Sequence, residues 1–75
     1  MELKEFIANF ADQFDDIEID DIQADTVYQE LDEWSSLTAM SLIAMAKVKY
    51  GKTITGREVR KCNTVEELYQ LISEK

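Results

Sequence analysis

The chain has 75 residues, enough for one domain with a modest core, and 45% of them are apolar, too many for a disordered tail. With no proline and two glycines, Gly51 and Gly56, it lacks the turns a small β-barrel needs and reads as helices joined by polar connectors. The net charge of −8 repels phosphate backbones and argues against nucleic acid, while no apolar run is long enough to insert in a membrane and no basic-then-apolar leader opens the sequence.

The charge is unevenly placed. Residues 1–34 carry twelve acidic side chains and one basic one, Lys4, whereas residues 35–75 carry four acidic and seven basic. A positively patched protein partner fits that layout, and so does plain solubility. Cys62 is the only cysteine, so no intrachain disulfide can form, which fits a cytoplasmic setting.

Leu3, Phe6, Ile7, Phe10 and Phe14 recur at helical spacing and predict an amphipathic first helix that stops near Asp15 and Asp16. Residues 15–35 read as a long, irregular, acid-rich loop. Ile17, Ile19, Ile22, Val27, Tyr28, Leu31 and Trp34 give it apolar anchors, so it is expected to pack down on the core. Its acids suggest a calcium loop, but the register fails. Counting from Asp16, the turn glycine is Asp21 and the closing glutamate is Val27. No metal is expected.

A second helix is predicted over 36–50, ended by Gly51 as a left-handed cap. On a helical wheel Ala39, Leu42, Ile43, Ala46 and Tyr50 share one side, and Leu37, Met40, Ala44 and Val48 share roughly the opposite one. A bundle helix needs a single apolar stripe. The second stripe is therefore either covered by the loop or a second copy, or exposed for a partner, with Met40 and Met45 adding adaptable surface. Ser36 opens this helix, where free N–H groups suit a phosphate, although a serine there is ordinarily only a cap. A short helix follows with a capping box at Thr55 and Glu58. A last helix repeats the device at Thr64 and Glu67 and buries Val65, Leu68, Tyr69 and Ile72. Cys62 reads as a small half-buried apolar residue rather than a reactive thiol.

The order of these features resembles the acyl carrier protein family over nearly the whole chain. The shared pattern is Ser36-Leu37 at the start of the second helix, Tyr50-Gly51 at its end, a connector with Ile54, and Thr64-Val65 opening the last helix. The resemblance implies an all-α four-helix bundle of three longer helices and a short third one, with a long loop between helices 1 and 2, in one domain over residues 1–75. It also implies that Ser36 carries covalent 4′-phosphopantetheine, whose thiol holds an acyl group as a thioester. The carrier would have no catalytic residues of its own. This agrees with a chain that lacks histidine and any nucleophile paired with a base.

The implied partners of this cytoplasmic, monomeric carrier are a phosphopantetheinyl transferase and acyl-loading and acyl-using enzymes. They would be met through Leu37, Met40, Ser41, Ala44, Lys47 and Val48, with Asp32, Glu33, Trp34 and Ser35 flanking the attachment serine. Trp34 either anchors the loop or flanks the arm. Two positions depart from the family habit. Ser35 stands where an aspartate is usual, and could cap the helix instead, while the normally acidic recognition helix here offers Ser41, Lys47, Val48 and Lys49. Those departures point to a dedicated partner set in a specialised lipid or secondary-metabolite pathway rather than to general fatty-acid synthase enzymes. Fatty, β-hydroxy, polyketide, amino-acyl and sugar-pathway cargoes all remain open. The alternative is an unmodified helical adaptor that binds proteins through the second apolar stripe.

Overall fold

The computed structural model of the protein describes residues 2–75. Four helices are present: α1 (Leu3–Ala11), α2 (Ser36–Tyr50), α3 (Gly56–Lys61) and α4 (Val65–Ser73). α1 packs against α2 and α4, and α3 packs against α2. This is the expected arrangement of three longer helices and a short third one.

The predicted ends of α2 and starts of α3 and α4 hold because Gly51, Thr55 and Thr64 each give a local chemical signal. Gly51 takes the left-handed conformation, φ +66°, and its N–H closes onto the Lys47 carbonyl at 3.0 Å. Thr55 and Thr64 cap α3 and α4, each accepting from the backbone N–H three residues on, at 3.1 and 3.2 Å. Glu58 and Glu67 reach back to the capping residues' N–H groups.

α1 is shorter than its apolar period suggests. It ends at Ala11, and the N–H groups of Gln13 and Phe14 bond to carbonyls three residues back, at 3.1 Å each. That tighter winding still delivers Phe14 to the core.

The loop between α1 and α2 is less irregular than expected. It holds two 3₁₀ turns, Ile19–Asp21 and Tyr28–Glu30. Of its anchors, Ile22 and Tyr28 are buried, Ile17, Leu31 and Trp34 pack partly on the core, and Ile19 and Val27 stay largely exposed. Backbone bonds fasten the loop to the far end of the chain. Val27 and Thr64 form an isolated bridge, and the N–H groups of Val65 and Glu66 bond to the carbonyls of Thr26 and Ala24 at 3.1 and 2.9 Å. Two N–H groups that the start of α4 would leave orphaned are thereby satisfied.

All seven aromatic residues join one connected network. Phe6 lies 6.2 Å from Phe10, 6.1 Å from Tyr50 and 5.6 Å from Tyr69, between ring centroids. Phe10 continues to Phe14 at 5.4 Å and Tyr28 at 5.6 Å, and Tyr28 continues to Trp34 at 5.1 Å. These are the offset and tilted geometries that aromatic pairs prefer. The network runs from α1 through the loop to the residue two positions before α2, so it also sets where α2 begins.

Candidate functional site

The start of α2 is built by two residues. Ser35 is the N-cap, in extended conformation, and its Oγ accepts from the Thr38 N–H at 3.3 Å. Thr38 Oγ1 returns the contact by accepting from the Ser35 N–H at 2.8 Å, and it donates to the Ser35 carbonyl at the same distance. Thr38 was not among the residues the sequence singled out. The three-residue spacing from Ser35 was visible, but a capping box usually closes on Glu or Gln, and here a threonine does that work.

Because Ser35 takes the cap, Ser36 is the first helical residue and is exposed. Its hydroxyl has no hydrogen-bond partner among the described residues, and neither do the backbone N–H groups of Ser36 and Leu37. This is the positive end of a fifteen-residue helix with two donors unclaimed. A phosphate esterified to the Ser36 oxygen would lie beside those donors, so the residues present fit a phosphodiester-linked group. The start of α4 offers the contrast, since the loop and the Thr64 cap already claim its first N–H groups.

Trp34 is half-buried. Its ring lies 5.1 Å from Tyr28 and 6.5 Å from Phe14, so it anchors the approach to α2 onto the core. Asp32 and Glu33 are the exposed central residues of the turn that the Trp34 N–H closes onto the Leu31 carbonyl at 3.0 Å. Asp15, Asp16 and Glu33 border a groove of about 370 Å³ that also touches Ser35, Leu37 and Ser41. The negative end of the molecule therefore sits beside the start of α2. No group of three or more metal-ligating side chains occurs among the described residues.

The two stripes of α2 separate cleanly. Leu42 and Ala46 are buried in the core, with Ala39, Ile43 and Tyr50 packed partly against it. On the other side Leu37 is 75% exposed, Met40 65% and Val48 79%. Ala44 and Lys47 are exposed with them, and Ser41 is half-buried. Nothing in the loop covers this stripe. Met45 departs from expectation, because it is buried rather than part of the outer surface. It lines a groove with Gln13, two residues past the end of α1, and with Ser41, Ala44, Val48 and Lys49.

Cys62 is buried, and that burial, with the nearby Glu67 and Glu58 charges, pushes its thiol above the ordinary range. It is a core residue with a poor nucleophile, as its position between α3 and α4 suggested.

The family profile described as the phosphopantetheine attachment site matches residues 4–72. The chain belongs to this family. Its members are carriers rather than catalysts. A comparison with curated proteins and one with solved structures each find no significant match. The profile match covers all four helices from Lys4 of α1 to Ile72 of α4, so the capped start of α2 lies well inside it. No helix of the described residues is long and apolar enough to cross a membrane.

Proposed function

We propose that this single domain, residues 1–75, is an acyl carrier protein whose Ser36 Oγ holds 4′-phosphopantetheine through a phosphodiester. The observation that carries the reading is the division of labour between the two serines. Ser35 is occupied as the cap, and Ser36 presents an unengaged hydroxyl beside two unclaimed N–H donors. When bound, the arm supplies a thiol that carries an acyl group as a thioester. The chain's own residues do the rest. The Trp34 anchor and the Ser35–Thr38 box fix where Ser36 sits. Leu37, Met40, Ser41, Ala44, Lys47 and Val48 form the face that the transferase and the acyl-loading and acyl-using enzymes meet. Asp32, Glu33, Trp34 and Ser35 frame the priming site. The lysines and Ser35 suit a dedicated set of enzymes in a specialised lipid or secondary-metabolite pathway of the cytoplasm.

The test is intact mass after incubation with coenzyme A and a broad-specificity phosphopantetheinyl transferase, for the wild type, Ser36→Ala and Ser35→Asp. The expected result is a gain of one phosphopantetheine that only Ser36→Ala abolishes. Ser36→Ala should be nearly neutral for folding because its hydroxyl bonds to nothing. Ser35→Asp keeps a good capping side chain, so any faster priming it shows reports recognition and not rescue of the fold. No gain in either the wild type or Ser35→Asp, with several transferases, would sink the carrier and leave an unmodified adaptor using the same exposed stripe.

A further inference from the structure

Residues 15–25 carry six carboxylates and no basic side chain, and the 3₁₀ turn among them, Ile19–Asp21, packs against α1. Ile22 follows that turn and is buried, whereas Ile19 opens it and is 44% exposed. Two hydrogen bonds fix the shape of the turn. The Asp21 carboxylate accepts from the Glu18 N–H at 3.1 Å, and the Gln23 side-chain amide donates to the Asp20 carbonyl at 3.2 Å. Leu3 and Ile7 lie four residues apart on α1, so they share one flank, and both are half-buried. Leu3, Ile7, Ile19 and Ile22 line a groove of about 490 Å³ between α1 and the turn, with Lys4, Asp20 and Gln23 completing its wall. Glu18, Asp21 and Asp25 are exposed close by in the chain. The ion pair found among the described residues joins Lys75 to Glu58, so the carboxylates of the turn face solvent without a cation.

This groove lies toward the end of α2 that is remote from Ser36. Asn9 of α1 donates to the Tyr50 hydroxyl at 2.8 Å, while Gln13 and Phe14, beyond the end of α1, border the groove that touches Ser35. The two helices therefore run antiparallel, with Leu3 and Ile7 at the Tyr50 end. Along α2 that end is about 21 Å from Ser36. We infer that the groove between α1 and the Ile19–Asp21 turn docks a basic amphipathic helix of a partner protein. The helix sets apolar side chains between Leu3, Ile7 and Ile19, and its lysines or arginines face Glu18, Asp20, Asp21 and Asp25. Charge chooses this occupant, since an apolar centre with an acidic rim attracts a cationic helix and repels an acidic one. A second copy of this chain fits less well, because each copy carries −8 and brings the same acidic rim. The site goes beyond the carrier reading and does not depend on it. For a carrier, a partner held here leaves Ser36 and the Leu37–Val48 stripe uncovered, so the chain stays tethered at a raised local concentration while other enzymes visit the arm.

The probe is a synthetic helix of about 18 residues with a leucine stripe and lysines on its other faces, titrated against the ¹⁵N-labelled, unmodified full chain. The largest amide shifts are expected at Leu3, Ile7 and Ile19–Gln23. Ile19→Ala should weaken binding roughly fivefold, and Asp20→Lys/Asp25→Lys roughly tenfold. Leu37→Ala/Val48→Ala should change it less than about twofold, because that stripe lies on the outer side of α2. Thermal melts establish that each variant folds, and Asp20→Asn/Asp25→Asn serves with a smaller loss if the reversed charges do not. Absence of binding would overturn the site. So would shifts centred on Leu37–Val48 with an affinity that follows those residues and ignores Ile19. Sedimentation showing a dimer that Ile19→Asp dissolves would also overturn it, by making a second copy the occupant. The mass measurement on Ser36 separates this inference from the carrier reading. Failed priming with the Ile19 and Asp20/Asp25 effects intact sinks the carrier and keeps the groove, and normal priming with those effects missing sinks the groove alone.

Discussion

Tyr28→Phe isolates one hydrogen bond in the core. Tyr28 is fully buried, its ring stacked into the aromatic network, and its hydroxyl donates to the Val59 carbonyl of α3. Phenylalanine keeps the ring and leaves no cavity, so the loss is confined to that bond. Gln29 is a poor substitute donor. Its Nε2 sits 3.5 Å from the Val59 carbonyl and is already engaged with the carbonyls of Arg60 and Cys62 at 3.0 Å each. Leaving a buried carbonyl short of its donor costs about 1–2 kcal/mol. For a chain of this size that lowers the melting temperature by about 5–15 °C.

The deficit also has a pH signature. Burial raises the Tyr28 phenol well above its ordinary value, with the Cys62 and Glu67 charges adding to the effect. Below the unfolded value of about 10, the phenol is neutral in both states and the deficit of Tyr28→Phe is constant. Above it, the unfolded wild type ionises Tyr28 while the folded state holds the proton. The unfolded state then binds fewer protons, and wild-type stability falls as pH rises. The variant lacks this loss, so the gap between the two should narrow above about pH 10. Urea and thermal unfolding followed by circular dichroism from pH 7 to 11 measure both effects. A variant that melts with the wild type at pH 7, or a gap that stays constant through pH 11, would refute the role given to this bond.

Two further outcomes follow from the fold. Gly51→Ala should cost about 1–2 kcal/mol, read as a lower urea midpoint with an unchanged slope, because φ is +66° while nothing lies within 4 Å of the added methyl. Cys62 should resist a thiol reagent at pH 8 in the folded state and react promptly in denaturant, since the thiol is buried and held protonated; fast labelling of the native protein would contradict its place in the core.

Local signals carried much of the fold into the sequence. Thr55, Thr64 and Gly51 mark helix ends by chemistry that acts within four residues, and those boundaries were legible. The end of α1 was not. Phe14 keeps the helical period although the chain has already tightened into 3₁₀-type bonds, and periodicity cannot separate the two. The turns of the loop were hidden for another reason, since the bridge from Val27 to Thr64 and the bonds from Tyr28 and Gln29 to α3 depend on residues 30 or more positions away. Around α2 the wheel showed two apolar sides but not which was outer, and Met45, expected as added surface, is buried by tertiary packing that periodicity does not carry. Ser36 was legible as the head of a helix and Ser35 as its candidate cap, whereas Thr38 as the residue that closes the box was not.

The fastening of the α1–α2 loop decides where this chain tolerates a change of length. Surface loops usually accept insertions because their backbone is held only at the ends. Here the backbone from Ala24 to Thr26 feeds the start of α4, and the side chains of Tyr28 and Gln29 hold the last carbonyls of α3. An added residue within 24–29 pulls both attachments out of register and displaces two helices that are distant in sequence. Between Asp15 and Glu18, where the side chains are mostly exposed, the same residue only lengthens an acidic crossing. The loop is a spacer with room to lengthen between Asp15 and Glu18 and a framing member from Ala24 onward.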